Sequence, residues 1–132
     1  GMNGHGIEIR DEPRRIVVSV DGAEVAASSR TRVLEETGLP PRYYFPRRDV
    51  HLELLDATPT ETVCPFKGQA SYWTVRTSGG EHRDLAWSYE EPIEAASRIA
   101  GYVCFYSERS DVTIDGEAQA RPETPWSKAP AQ

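Results

Sequence analysis

The stretch Cys64-Pro65-Phe66-Lys67-Gly68-Gln69-Ala70-Ser71-Tyr72-Trp73 is the most informative part of this chain. Its proline and its glycine favour a tight turn, and the residues that follow the turn favour a strand because aromatic and β-branched side chains dominate there. The turn therefore places the thiol of Cys64 and the ammonium of Lys67 just before the start of a strand that is rich in aromatic residues. Reactive groups on a loop that a rigid scaffold holds are typical of functional sites.

Short apolar runs at hairpin spacing continue on both sides of this stretch. Asp21-Gly22 separates two runs, and this dipeptide between β-branched segments is the strongest short-range hairpin signal. Ser78-Gly79-Gly80 is predicted to connect a second hairpin, whose return strand ends near Tyr89. Further strands are predicted at residues 7–10, 42–45, 50–55, 102–106 and 111–115. The sequence therefore predicts a mostly β domain, α+β at the margin, with antiparallel neighbours.

One short helix is predicted near residues 92–100. Pro92 suits the first helical position, and Gly101 suits the residue that follows the last turn. The apolar residues between them are spaced three and four apart, which is the spacing of one helix face. A helix of about ten residues is marginal alone, so we expect it to pack on the sheet.

Alternation along the strands predicts which side chains form the core. The segment 50–55 alternates, so its leucines are expected to face inwards. The predicted core residues are Ile16, Val18, Leu52, Leu54, Trp73, Val75, Val103 and Phe105.

The chain of 132 residues fits one domain. Gly1 before Met2 is typical of an expression-tag remnant, so residues 1–14 are interpreted as remnant and leader, 15–116 as a single β-rich domain, and 117–132 as a proline-containing tail. The composition of the tail predicts disorder, except that Trp126 could anchor it. We expect Trp126 to dock on its own chain or on a second copy, which would give a homodimer.

Charge and cysteine content limit the function classes. The net charge is −6, from 21 acidic and 15 basic residues, which argues against a general nucleic-acid binder. No apolar run is long enough to span a bilayer, so a cytoplasmic protein without a membrane partner is expected. Cys64 and Cys104 cannot form a four-cysteine metal site, and we expect both to be free thiols. No cofactor and no metal are predicted.

Several segments together carry a resemblance to a known family. They are Thr37-Gly38-Leu39-Pro40-Pro41-Arg42-Tyr43-Tyr44-Phe45-Pro46, Asp49-Val50, Cys64-Pro65-Phe66-Lys67-Gly68 with Ser71-Tyr72-Trp73, Ala86-Trp87-Ser88-Tyr89, and Gly101-Tyr102-Val103 with Phe105-Tyr106. From about Arg15 to Gly116 the chain resembles the bacterial family catalogued as domain of unknown function 427. The resemblance implies a small, mostly β domain with strongly curved antiparallel sheets and one helix, and it brings no established activity. Cys104 departs from the family pattern, which leaves Cys64 as the cysteine that the motif implies.

A nucleotidyltransferase-like label is sometimes attached to this family. Metal-assisted phosphoryl transfer needs carboxylates held close together. The adjacent acidic pairs Asp11-Glu12, Glu35-Glu36 and Glu90-Glu91 would point to opposite faces of a strand. Lys67-Gly68 also lacks the upstream glycine spacing of a phosphate-binding loop.

Five residues are predicted to line a ligand pocket: Arg42, Tyr43, Lys67, Tyr72 and Trp87. The guanidinium and the ammonium would bind negative charge, and the rings would stack on a flat ligand. The predicted ligand is an anionic or aromatic small molecule. We expect Arg42 and Lys67 to be solvated, so that substituting them would change stability little.

Cys64 and Lys67 are also the candidates for a catalytic role. A cysteine nucleophile needs a base close to it, and His5, His51 and His82 lie in segments that do not point to Cys64. Three functions therefore remain open: small-molecule binding, with or without catalysis, a protein–protein interaction module that uses an aromatic patch, and a nucleotidyltransferase-like enzyme. A fourth interpretation is that the aromatic residues only fill a core.

Overall fold

The computed structural model of the protein describes residues 6–129, and the predicted tag remnant and His5 lie outside that range. Eleven strands occur between residues 6 and 129. In chain order they are β1 (Ile7–Glu12), β2 (Ile16–Val20), β3 (Ala23–Ser28), β4 (Thr31–Glu36), β5 (Arg42–Tyr44), β6 (Leu55–Cys64), β7 (Gly68–Thr77), β8 (Gly80–Ser88), β9 (Val103–Phe105), β10 (Asp111–Ile114) and β11 (Glu117–Ala118).

These strands form three antiparallel sheets, with the orders β1-β4-β5, β11-β10-β2-β3 and β6-β7-β8-β9. An isolated bridge between Phe45 and Val103 joins β5 to the sheet that contains β9. The predicted mostly β architecture is therefore confirmed. No helix within residues 6–129 has the length and apolar character needed to cross a membrane.

Both predicted hairpins are present. Asp21 and Gly22 adopt positive φ angles of 52° and 78° between β2 and β3, as a two-residue turn of this type requires. Gly80 begins β8, which pairs with β7 as predicted. Local backbone preference therefore favours both turns, and an irregularity shifts the register further along each hairpin.

The predicted helix is a 3-10 helix, Glu94–Ile99, and its φ and ψ at Ala96 depart from helical values. Both ends are tied to other segments, because Ile93 N donates to Lys67 O and Gly101 N donates to Tyr89 O. The segment still packs on the sheet as expected, since Ala96 and Ile99 are buried.

The other described helices are also short 3-10 segments: Arg47–Asp49, Leu52–Leu54, Ser107–Arg109 and Pro125–Ser127. One of them corrects the predicted core. Residues 52–54 are not in a strand, so alternation does not apply there, and Leu52 is 44% exposed. Leu54 and Trp73 are only partly buried against the core. The predicted core residues that are buried are Ile16, Val18, Val75, Val103 and Phe105.

The β-rich unit extends past the predicted bounds of 15 and 116. β1 lies within the predicted leader, and it pairs with β4 over its whole length, from Ile7 opposite Glu36 to Glu12 opposite Thr31. β11 lies within the predicted tail and pairs with β10. The sequence analysis predicted a strand at residues 7–10 but not its pairing with the domain, whereas β11 carries little local signal and depends on its partner strand.

Glu12 at the end of β1 predicts a pH dependence of stability. Its buried carboxylate accepts hydrogen bonds from Arg14 (Nη2 at 2.6 Å) and from Arg10 (Nη1 at 3.2 Å). The hydrogen bond from the Arg14 side chain is the main cause that lowers the pKa of Glu12 from 4.5 to about 2. A lowered pKa stabilises the folded state above the unfolded-state pKa, and this contribution disappears as the pH falls towards 2.

We expect Glu12→Gln to lower the free energy of unfolding at pH 7, with the difference from the wild type shrinking to near zero at about pH 2. Urea denaturation at a series of pH values measures it. Glu8→Gln is the matched control, because Glu8 lies in the same strand with an exposed side chain. A difference that is constant between pH 7 and pH 3 would contradict the prediction.

Candidate functional site

A cavity of about 290 Å³ opens between the sheet β1-β4-β5 and the sheet β6-β7-β8-β9. Its side chains come from both sheets, from the turn between β6 and β7, and from the C-terminal tail. Aromatic rings dominate the lining: Tyr44, Tyr72, Trp87, Tyr89, Tyr106 and Trp126.

The structure brings together four of the five residues that the sequence analysis assigned to the pocket. Arg42, Lys67, Tyr72 and Trp87 line this cavity, and Cys64 lies there with them. Tyr43 does not, because alternation along β5 turns it to the opposite face from Arg42. Tyr43 instead lines a separate cavity of about 160 Å³.

Arg42 is held by a buried carboxylate. The side chain is 7% exposed, and its Nη1 and Nη2 donate to Glu108 Oε1 and Oε2 at 2.7 and 2.8 Å. The guanidinium carbon also lies 5.5 Å from the ring centroids of Trp87 and Tyr106. The expectation that Arg42 is solvated is therefore wrong.

The Arg42–Glu108 pair has a defined protonation state. Burial is the largest single effect and would raise the pKa of Glu108 and lower that of Arg42, but the hydrogen bonds between them, the attraction of their charges and the hydrogen bond from Thr124 to Glu108 together outweigh it. As a result the pKa of Glu108 is lowered and that of Arg42 is raised. Both groups are charged at neutral pH, and each neutralises the other.

Lys67 is also paired. Its side chain is 8% exposed, Nζ donates a hydrogen bond to Glu36 Oε1, and the ammonium lies 5.9 Å from the centroid of the Tyr89 ring. Lys67 is thus not solvated either. Because a carboxylate lies against each cation, these two ion pairs leave no net positive charge in the cavity.

The cavity also contains the hydroxyl groups of Thr62 and four tyrosines. Burial raises the pKa of Tyr44, Tyr89 and Tyr106, so these phenols stay neutral and keep their protons. Tyr72 OH lies 2.8 Å from Thr62 Oγ1. The cavity therefore offers neutral hydrogen-bonding groups between aromatic walls.

Both thiols are free, which confirms the expectation for Cys64 and Cys104. Cys104 is fully buried, and burial raises its pKa to about 12. Cys64 is half-buried and lines the cavity. Neither described histidine lies with it, since His51 bonds to Glu24 and His82 bonds to Asp21.

The turn that holds Cys64 and Lys67 depends on Gly68. This residue has φ of +114°, and a Cβ added there would lie 3.3 Å from Pro92 Cα and Ile93 N. Ile93 N also donates to Lys67 O at 3.0 Å. Backbone conformation and close packing both therefore require glycine.

We expect Gly68→Ala to lower the free energy of unfolding by about 1–3 kcal/mol, because a side chain strains this conformation and crowds the 92–93 backbone. Chemical denaturation measures it. Gly38→Ala is a matched control, since Gly38 has φ of +81° but no atom within 4 Å of an added Cβ. Equal losses for the two variants would show that the packing against Pro92 contributes nothing.

Among residues 6–129, no three His, Cys, Asp or Glu side chains are grouped as a metal site requires. Glu108 is the main residue of the site that sequence reasoning missed. It lies 66 positions from Arg42 in a polar segment, and no local pattern marks it as buried. Glu36 was considered only as part of an acidic pair.

The fold and the cavity define a class: a β-rich domain with an aromatic cavity that contains two internal ion pairs. Comparison with family profiles identifies the family: the profile described as "Domain of unknown function (DUF427)" matches residues 8–116. The chain belongs to this family. A search of curated proteins finds no match.

Proposed function

We propose that this protein binds a flat, uncharged aromatic small molecule in the cavity between the sheets β1-β4-β5 and β6-β7-β8-β9. The observation that carries this proposal is the combination of six aromatic lining residues with two cations that are each neutralised by a carboxylate. Stacking surfaces favour a ring system, and the neutral phenols can fix its orientation by hydrogen bonds.

The internal ion pairs favour an uncharged ligand over an anionic one. An anion at Arg42 would compete with Glu108, which is bound through two hydrogen bonds in a buried position. Displacing it would leave a buried carboxylate without its partner, which is costly. At Lys67 an anion would meet the nearby Glu36 carboxylate in the same way. Recognition therefore rests on ring stacking and hydroxyl groups.

The volume limits the ligand to a small one. Pockets for small molecules usually have volumes of about 300–1,000 Å³. At about 290 Å³ the cavity lies just below the lower limit of this range. One or two fused rings with few substituents match that space.

A thermal-shift screen tests the proposal. The library pairs uncharged heteroaromatic compounds with their carboxylated analogues, and we expect only the uncharged member of a pair to raise the melting temperature, since a ligand that binds the folded state stabilises it. Tyr72→Leu, which removes one cavity wall, should abolish the shift. Tyr102→Leu is the matched control, because Tyr102 contacts Arg32 outside the cavity.

Failure of the whole library to stabilise the wild-type protein would overturn the proposal. So would a compound whose shift is the same in Tyr72→Leu and in the wild type. A stronger shift from the carboxylated analogues would show that the ligand is anionic and that an ion pair opens to admit it.

A second candidate is a protein-binding surface beside the cavity. Val63 is 78% exposed, and Phe66 and Ile93 are exposed as well. All three lie at the turn between β6 and β7 or against it, since Ile93 N bonds to Lys67 O. Exposed apolar groups that lie together mark interaction sites. Light scattering over a range of concentrations, with Val63→Asp as comparison, would detect self-association through this surface.

A further inference from the structure

The C-terminal tail supplies part of the cavity wall. After β11 the chain follows β10, with Gln119 N donating to Val112 O and Arg121 bonding to Asp111 at 3.1 Å. The 3-10 helix Pro125–Ser127 then places Trp126 at the cavity. The indole plane lies at 17° to the ring of Tyr106, with a centroid distance of 6.4 Å.

Polar contacts hold this part of the tail, and they centre on Thr124. Its hydroxyl donates to Glu108 Oε2 and accepts a hydrogen bond from Trp126 N at 3.1 Å. Ser127 Oγ accepts from Thr124 N, which completes a capping box. Arg109 Nε donates to Trp126 O at 3.0 Å.

The indole is only partly buried, because Trp126 is 40% exposed, so the polar contacts hold the tail together with the stacking on Tyr106. The sequence analysis expected burial of Trp126 to anchor the tail, and it did not predict the polar contacts. The Trp126 backbone N–H and carbonyl are both hydrogen-bonded, and the side chain lines the aromatic cavity while the residue stays 40% exposed. A rigidly held, exposed aromatic side chain loses little conformational entropy when a ligand stacks on it.

The same carboxylate connects the tail to the inner part of the cavity. Glu108 binds Arg42 through both oxygens and also accepts the hydrogen bond from Thr124. The contacts therefore run from Arg42 through Glu108 and Thr124 to Trp126. Arg42, Glu108 and the other cavity rings lie within the family-matched residues 8–116, whereas Thr124 and Trp126 lie outside them.

We propose that Trp126 is a selectivity-determining residue, the outer ring on which the aromatic ligand stacks, and that Thr124 positions it. The proposal rests on the proposed function, because the ligand is the same flat, uncharged molecule. It adds that a segment outside the family domain decides which ring systems the cavity accepts. Ligands that cover the Trp126 indole should bind better than those that reach only the inner rings.

The first experiment needs no ligand and uses Cys64 as a reporter in the same cavity. The full chain is treated with a bulky aromatic disulfide and, separately, with a small alkyl thiosulfonate. We expect Trp126→Ala and Thr124→Val to raise the rate at which Cys64 reacts with the bulky reagent by about two- to tenfold, the range of one aromatic contact. The rate with the small reagent should change less. Lys128→Ala, an exposed tail substitution, is the control and should react like the wild type.

A Cys64→Ser variant must lose the reaction, because Cys104 is fully buried. Unchanged rates for the bulky reagent in both tail variants would overturn the inference, whatever the ligand screen gives. Thr124→Ser, which keeps the hydroxyl, should restore the wild-type rate. If it reacts like Thr124→Val, the hydrogen bond to Glu108 does not position Trp126, and that part of the inference is wrong.

The second experiment compares affinities for the best uncharged compound from the thermal-shift screen. We expect Trp126→Ala to weaken its binding by about two- to tenfold, as for loss of one stacked ring. The same substitution should weaken the binding of a single-ring analogue less. Equal affinities in Trp126→Ala and wild type would overturn the inference and leave the proposed function intact. A screen without any binding compound would overturn the proposed function, and with it the ligand-stacking role of Trp126.

Discussion

Replacing Glu108 by alanine is expected to lower the free energy of unfolding by about 3–5 kcal/mol, because it leaves the buried guanidinium of Arg42 without its partner. The carboxylate is fully buried, and it bonds to Nη1 and Nη2 of Arg42. The same change removes the acceptor of the Thr124 hydroxyl, so the tail should loosen as well. Urea denaturation gives the stability, and hydrogen exchange reports on the tail.

Glu123→Ala is the matched control for this change, since Glu123 is exposed and lies next to Thr124 in the same tail. It should change stability by less than about 0.5 kcal/mol. The double variant Arg42→Met with Glu108→Leu should recover much of the loss, because two apolar groups can replace a buried ion pair at little cost. A loss below about 1 kcal/mol for Glu108→Ala would mean that water reaches Arg42 in the folded protein.

Trp87→Ala is the second change for which we expect a loss of about 3–5 kcal/mol, the range for a deleted core aromatic side chain. Trp87 is buried, and its Nε1 donates to Tyr44 OH at 3.1 Å. Its ring meets that of Tyr44 edge-on and lies 4.4 Å from that of Tyr106. Deleting it creates a cavity and leaves the Tyr44 hydroxyl, itself buried, without its donor.

The other two tryptophans give an internal scale for this measurement. Trp73 is half-buried against the core and contacts Arg47, and Trp126 is exposed. We therefore expect substitution by alanine to lower the free energy of unfolding most at Trp87, less at Trp73 and least at Trp126. The sequence analysis placed Trp73 among the core residues and Trp87 in the ligand pocket. A greater loss for Trp73→Ala than for Trp87→Ala would contradict the burial seen in the structure.

Sequence reasoning succeeded where a structure is determined locally. Asp21-Gly22 specifies its hairpin because the turn needs positive φ at both positions, which these residues tolerate. It failed at residues 50–55, where alternation suggested a strand. Val50 forms an isolated bridge with Ala26, and His51 N donates to Val25 O. After these contacts with β3 the chain forms the 3-10 helix Leu52–Leu54 and not a strand. No window of neighbouring residues contains that information.

In the candidate site, too, some features follow from local sequence and others depend on residues far away in the chain. Alternation places Arg42 on one face of β5, and turn chemistry places Lys67 at the end of a strand. Composition could not show that each cation is paired, because Glu108 and Glu36 lie 66 and 31 positions away. Four of the five predicted residues therefore meet, but the charges of the two cations are already balanced. This difference narrows the ligand that we propose from an anionic or aromatic small molecule to an uncharged ring.

The position of β2 has a consequence for synthesis of the chain. β2 pairs with β3 on one side and with β10 on the other, where Ile114 lies opposite Ile16. At about 5–20 residues per second, a ribosome needs roughly 4–17 s to advance from Ser28 to Ile114. During that time the completed β2–β3 hairpin exposes an unpaired apolar edge. Slowing translation between β3 and β10 is therefore expected to increase aggregation of the nascent chain.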